Sequence, residues 1–129
     1  MSNVEWIAAE KTPREVLIWN IAKVCHETNR AYCETLGDFS QMSWDEAPKW
    51  QRESIINGVI YALENVGITP EQSHANWLAE KRKEGWSYGE KKDITRKEHP
   101  CFVTYGELPP EQKIKDRLFS AVVASFAQN

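Results

Sequence analysis

The sequence predicts a mainly α fold (α+β): about four helices in two pseudo-symmetric helix pairs, with a small two-stranded β element around 86–105. Three observations carry this. Apolar residues recur at three- and four-residue intervals in four stretches, which places them on one face of a helix. Thr12-Pro13-Arg14-Glu15 and Thr69-Pro70-Glu71-Gln72 read as helix starts, each with a capping hydroxyl, proline at the first helical position and an acid or amide three residues after the cap. Between Trp86 and Tyr105 the helical period lapses, and Gly and Pro punctuate a charged loop.

The first helix is expected over about 13–35 and ends before Gly37. Its stripe is Leu17, Ile21, Val24 and Ala31, with Ile18, Ala22 and Cys25 beside them. His26 and Arg30 are four residues apart and share one face. Ser43 to Glu46 offers a cap for a second helix, about 46–65, with Pro48 in its first turn and a stripe of Ile55, Ile56, Val59, Ile60 and Leu63. A third helix, about 70–84, stops at Gly85, a residue suited to the left-handed position past a helix end. Trp86–Tyr88 and Phe102–Tyr105 are the candidate strands, expected as one antiparallel pair. Pro109-Pro110-Glu111 opens a last helix, about 109–127, with Leu118, Phe119, Val122, Val123 and Phe126 inward.

A chain of 129 residues is read as a single domain, 1–129. Its N-terminal helical half is 12–66 and its C-terminal half 70–127. The net charge of -3 and pI near 5.6 argue against a general nucleic-acid binder. Within 81–98, however, seven Lys/Arg face four Asp/Glu, a local excess able to draw in an anion. Three cysteines and the lack of a basic, apolar leader point to a reducing cytoplasm. No stretch approaches the ~20 apolar residues of a membrane span, so no membrane partner is expected.

His74, Trp77 and Lys81 lie on one face of the third helix. An indole there could stack on a base, and the ammonium could hold a phosphate; a core Trp beside an exposed Lys satisfies the same spacing. Cys25, His26, Cys33, His99 and Cys101 have no metal-ligand spacing. No phosphate loop, nucleophile elbow or supported Ser-His-Asp set occurs, and Asp45-Glu46 is explained by capping. A binding role without catalysis, metal or cofactor is the expectation. An echo also appears: shifted by 63 positions, Arg52-Glu53 falls on Lys115-Asp116, Ile55-Ile56 on Leu118-Phe119, and Val59 on Val122. A degenerate first repeat would produce it, and so would two unrelated amphipathic hairpins.

His74-x-x-Trp77, Gly85-Trp86-Ser87-Tyr88-Gly89, then Asp93, Lys97, His99-Pro100-Cys101, Val103-x-Tyr105, Glu107-Leu108-Pro109 and a Lys-x-x-Asp helix follow one another over about 70–126. This order resembles the ryanodine-receptor repeat (RyR) domain. The resemblance implies tandem repeats with approximate twofold symmetry and an adenine-nucleotide ligand between them. It marks Trp77, Lys81, His99 and Cys101 as ligand contacts, with Trp86 and Tyr88 in the family core. By the same symmetry His26, Asn29 and Arg30 would face His74, Trp77 and Lys81 across a cleft. The chain departs from the pattern at Asn29, where the first repeat usually has an aromatic, and at Cys101, where a base can stand. Asp93 and Lys97 read as a loop-fixing ion pair.

The segments CHETNRAYC, GDFSQ and APKWQRES are similar to short standalone RyR-domain proteins of bacteriophages and their hosts. That implies a binder of a small nucleotide-like anion in the host cytoplasm, sequestering or sensing a nucleotide signal, and leaves room for a homodimer. Another class stays open: a protein-interaction adaptor using Trp6, Trp44 and Trp50. An enzyme acting on a nucleotide conjugate is the third.

Overall fold

The computed structural model describes residues 12–65 and 67–127. Among them are four helices: α1 (Pro13–Thr35), α2 (Lys49–Glu64), α3 (Pro70–Lys83) and α4 (Pro110–Ala127). Two short strands, β1 (Ser87–Tyr88) and β2 (Glu98–His99), and a 3-10 turn at Tyr105–Glu107 lie between α3 and α4. The fold is mainly α with a minor β element. None of these helices is long and apolar enough to cross a membrane.

Both predicted capping boxes form. Thr12 Oγ1 accepts the Glu15 amide at 3.2 Å and the Glu15 carboxylate accepts the Thr12 amide at 3.0 Å; Thr69 and Gln72 do the same for α3. Each box satisfies two amides that a helix start otherwise leaves without partners. The second helix begins later than expected. Ser43–Ala47 closes as a turn, with Ser43 Oγ donating to Glu46, and Pro48 becomes an N-cap with no side-chain hydrogen bond.

The chain divides into two compact units, one of residues 1–67 with 118–129, the other of residues 68–117. In the first, α1 packs on α2. Its core is Ile18, Ile21, Ala22 and Cys25 of α1, Ile56, Val59 and Ala62 of α2, Val123 of α4, and Trp44 from the connecting loop. Withdrawing an Ile or Val side chain of this kind from water contributes about 1.5–3 kcal/mol. Phe119 reaches Gly58, where an added Cβ would sit 3.4 Å from its ring. Leu118, Phe119, Val122 and Phe126 are half-buried rather than sealed. The α1 stripe is also rotated from the expected one: Leu17, Val24 and Ala31 are exposed, and the buried face centres on Ile18, Ile21, Ala22 and Cys25. Leu17 and Val24 sit at its edge, so the choice of face falls to the α2 contact and not to apolar spacing alone.

The β element differs from expectation in partner and direction. Ser87 pairs with Glu98 and Tyr88 with His99, in parallel. The loop turns back on itself through a mutual Asp93–Glu98 pair, 2.9 and 3.0 Å, and through Lys97, whose φ is 55°. That brings 98–99 alongside 87–88 in the same sense. Phe102–Tyr105 forms no strand because its backbone is otherwise engaged. The Val103 carbonyl receives His74, and Thr104 and Glu107 bond each other around the 3-10 turn.

Candidate functional site

The second unit gathers most of the ligand residues that the sequence suggests. α3 ends in a Schellman arrangement: the Gly85 amide bonds the Arg82 carbonyl and the Trp86 amide bonds the Lys81 carbonyl, both at 3.0 Å. Gly85 has φ +93°, which a residue with a side chain adopts only with strain. This ending fixes Trp86 immediately beyond the helix. Lys97 then reaches back to donate Nζ–H to the Glu84 carbonyl at 2.7 Å, while Asp93 accepts the Arg96 amide. The expected Asp93–Lys97 ion pair is therefore replaced by two separate loop ties.

Rings run in series through this unit. His74 stacks on Trp77 with centroids 5.6 Å apart and planes at 20°. Trp77 meets His99 edge-on at 5.3 Å, and Trp86 lies 6.3 Å from the same imidazole. Phe102 is 6.0 Å from Trp77, and Tyr105 6.2 Å from His74. His74 is buried and its Nε2–H donates to the Val103 carbonyl at 2.8 Å. Trp77, Trp86, His99 and Cys101 are half-buried, whereas Tyr88 is 55 % exposed. Tyr88 thus stands apart from the ring series.

Cations surround His99. Burial first, then the charges of Lys92, Lys81 and Lys115, hold its pKa down to about 4. The geometry agrees, since Nδ1 accepts the Cys101 amide at 3.0 Å and a nitrogen used as an acceptor resists protonation. Lys92 is itself lowered, by burial and then by Lys81. The Lys81 side chain is only 13 % exposed, and its Nζ lies 3.4 Å from the Glu84 carboxylate. Burial raises the Cys101 thiol, which leaves it a poor nucleophile at neutral pH.

His26, Asn29 and Arg30 lie in the first unit, on α1. His26 is buried, and Nε2 donates to the Met42 carbonyl at 2.7 Å. Arg30 is held by two acids of its own helix, Glu27 at 3.1 Å and Glu34 at 3.7 Å. Burial alone would raise Glu27, but the Trp44 amide, Arg30 and His26 together keep it below the ordinary value. Asn29 is half-buried. Of the tryptophans outside the motif, Trp44 is buried and Trp50 is 45 % exposed, while Trp6 lies outside the described residues.

Sequence spacing missed Lys92, Lys115 and Asp116 as neighbours of the ring series. Lys92 is one of many loop cations and nothing in its spacing singles it out. Asp116 closes the Lys-x-x-Asp pattern, which was a usable signal. Among the described residues, no three His, Cys, Asp or Glu side chains cluster as metal donors do.

The RyR domain pattern matches residues 49–124, from the start of α2 through most of α4, and so begins upstream of the region carrying the motif residues. With well over half of its length matched, the chain belongs to the RyR domain family.

Proposed function

We propose that the second unit binds a small anionic ligand derived from a nucleotide, and that it does so without turnover. The observation that carries this is the surroundings of His99: a neutral imidazole between two indoles, with Lys92, Lys81 and Lys115 all bearing on it. Mutual repulsion among those ammonium groups is relieved when an anion enters, so ligand charge is stabilised there at little reorganisation cost. Trp77 and Trp86 supply faces of the kind on which bases stack, each worth about 1–3 kcal/mol. His74 and His99 act here as supports, one bonded to Val103 and the other to Cys101. In this reading Lys81 holds phosphate, and the protein sequesters or senses a nucleotide signal, a role suited to a phage product in host cytoplasm. A homodimer would bring two such units into one assembly.

The test is a thermal-shift screen against adenine nucleotides, ADP-ribose derivatives and cyclic oligonucleotides. Trp77→Ala and Lys81→Ala are run alongside. A ligand at a hundred times its Kd adds about 2.7 kcal/mol. One ligand class should raise the midpoint of the wild type and leave both folded variants unmoved.

A second reading rests on a different observation. Leu36, Phe39, Met42 and Trp50 of the first unit are 45–72 % exposed, which suits contact with another protein. A flat ligand screen together with capture of a partner that Phe39→Ala or Trp50→Ala releases would favour it.

A further inference from the structure

Two exposed apolar patches of opposite charge have no part in the ring series. In the first unit, Leu36, Phe39 and Met42 stand out from the segment between α1 and α2, Phe39 being 72 % exposed. Residues 36–46 contain Asp38, Asp45 and Glu46 but no Lys, Arg or His, and Asp45 and Glu46 are exposed. The bases that flank this segment already have acids of their own. Arg30 lies against Glu27 and Glu34, and Lys49 lies 3.9 Å from Glu53.

In the second unit, Ile94 is 57 % exposed and Tyr88 55 %. Residues 88–97 hold four Lys/Arg against two acids. One of those acids, Asp93, is turned onto the Arg96 amide. Lys91 and Arg96 are exposed, and Arg96 Nε comes no nearer than 3.9 Å to Glu98. Folding gives little reason for an isoleucine at this turn, since more than half of it stays in water.

Both backbones are held in place. The Met42 carbonyl accepts His26, the Trp44 amide donates to Glu27, and Gln51 bonds Gln41. The 88–97 loop is closed by the β1–β2 pairing and by the mutual Asp93–Glu98 bonds. Apolar groups presented on a fixed backbone dock with little ordering cost. Two acidic patches repel each other, and so do two basic ones, so the surface that suits either is the other. Each is exposed in the single chain, and a second copy supplies the complement.

We propose that the 36–46 segment of one copy docks on the 88–97 loop of a second copy, Phe39 and Met42 meeting Tyr88 and Ile94, with Asp45 and Glu46 opposite Lys91 and Arg96. Made reciprocally, the contact closes a symmetric dimer. It does not depend on the anion-binding reading. It names the partner that the exposed face of the first unit would take in the protein-contact reading. A patch of this size sets a weak association, with a Kd on the order of 10–100 μM.

Sedimentation velocity over a concentration series tests this, with Asp45→Lys/Glu46→Lys and Lys91→Glu/Arg96→Glu as charge-reversed variants. Wild-type protein should associate at low salt, and high salt should weaken it on the order of tenfold. Each reversed variant alone should stay monomeric. An equimolar mixture of the two should associate again, because every acidic patch then meets a basic one. Thermal midpoints report whether each variant folds. Phe39→Ala and Ile94→Ala, which alter no charge, should each weaken wild-type association by about tenfold and carry the test if a reversed variant does not fold. A wild type that associates but is unaffected by Phe39→Ala and Ile94→Ala overturns the proposal, as does a mixture of folded reversed variants that stays monomeric. A monomeric wild type overturns it too; capture of a different protein through Phe39 would then leave the protein-contact reading standing without self-association.

Discussion

His74 donates its Nε2–H to the carbonyl of Val103, 29 residues downstream, at 2.8 Å. The first unit repeats the arrangement with His26 and the carbonyl of Met42 at 2.7 Å. In each case an aromatic two residues past the carbonyl meets the same imidazole, Tyr105 at 6.2 Å and Trp44 at 5.9 Å. In each, a hydroxyl one residue past the carbonyl bonds a Glu three residues on, as Thr104 does with Glu107 and Ser43 with Glu46. A buried apolar residue and a proline then lead into a helix, through Leu108-Pro109 and Ala47-Pro48. The two clips have the same parts in the same order. What only the second contains is the ring-and-cation loop.

Because the clip ties a helix to a distant loop in both units, removing either histidine should be costly. His26→Ala and His74→Ala should each lose about 2–4 kcal/mol, from the buried ring and the stranded carbonyl. Urea unfolding curves measure this directly. A loss below about 1 kcal/mol at either position would show that the clip is not a support there.

Much of this was legible because its causes are local. The capping boxes at Thr12 and Thr69 depend on residues three apart, and they form as read. The Gly85 stop is equally local. The likeness of the two clips was visible only in outline, because their carbonyl residues are 61 positions apart (Met42 to Val103) while their histidines are 48 apart (His26 to His74), and a single shift cannot align both. The buried face of α1 was misread at Leu17 and Val24, since a helix with apolar residues all round one side needs its partner to choose among them. The parallel pairing of 87–88 with 98–99 depends on Lys97 at positive φ and on Gly89, neither of which has a strand signature. The site shared that limit: Trp77 and Lys81 follow from helix spacing, but Lys92, Lys115 and Asp116 arrive through tertiary packing.

Two titrating groups pull stability in opposite directions with pH. His99 has a folded pKa of about 4 against an ordinary 6.5. Between those values the unfolded chain binds a proton that the folded chain does not, so stability falls as pH drops from 6.5 to 4. Asp116 is raised from 3.8 to about 6. The folded chain then binds the extra proton, and stability rises as pH drops through 6 toward 4. Each effect is on the order of 1–3 kcal/mol. His99→Gln should therefore gain stability relative to wild type toward pH 4.5, and Asp116→Asn should gain it toward pH 8. Denaturant midpoints at the two pH values decide; slopes that move the same way in both variants would contradict the assignments.

Gly89 is required by a close approach. A Cβ there would lie 2.5 Å from Glu98 Cβ, and that atom is fixed by the β1–β2 pairing. Gly89→Ala should cost about 1–3 kcal/mol, the range for overfilling a packed site. Gly106→Ala, where a Cβ meets nothing within 4 Å, should be close to neutral. The loop also carries Lys92 and positions His99, so Gly89→Ala should weaken any nucleotide-dependent thermal shift as well. A variant that keeps its stability would mean β1 and β2 can part without consequence.

Trp44 separates the size of a core side chain from its polarity. Its ring is buried, meets Trp19 edge-on at 5.3 Å, and its backbone amide donates to Glu27 at 2.9 Å. Its indole Nε1–H is buried without a hydrogen-bond partner among the described residues. The orphaned donor opposes the benefit of burying the ring. Trp44→Ala should lose about 3–5 kcal/mol through the cavity it leaves. Trp44→Phe sheds the orphaned N–H while keeping most of the aromatic volume, and it leaves the Glu27 contact intact because that contact is made by the backbone. Its loss should stay under about 1.5 kcal/mol. Equal losses in the two variants would mean that the indole N–H is bonded in solution, by water or by a rearranged neighbour. The Phe variant would then need that partner removed too before the core recovered.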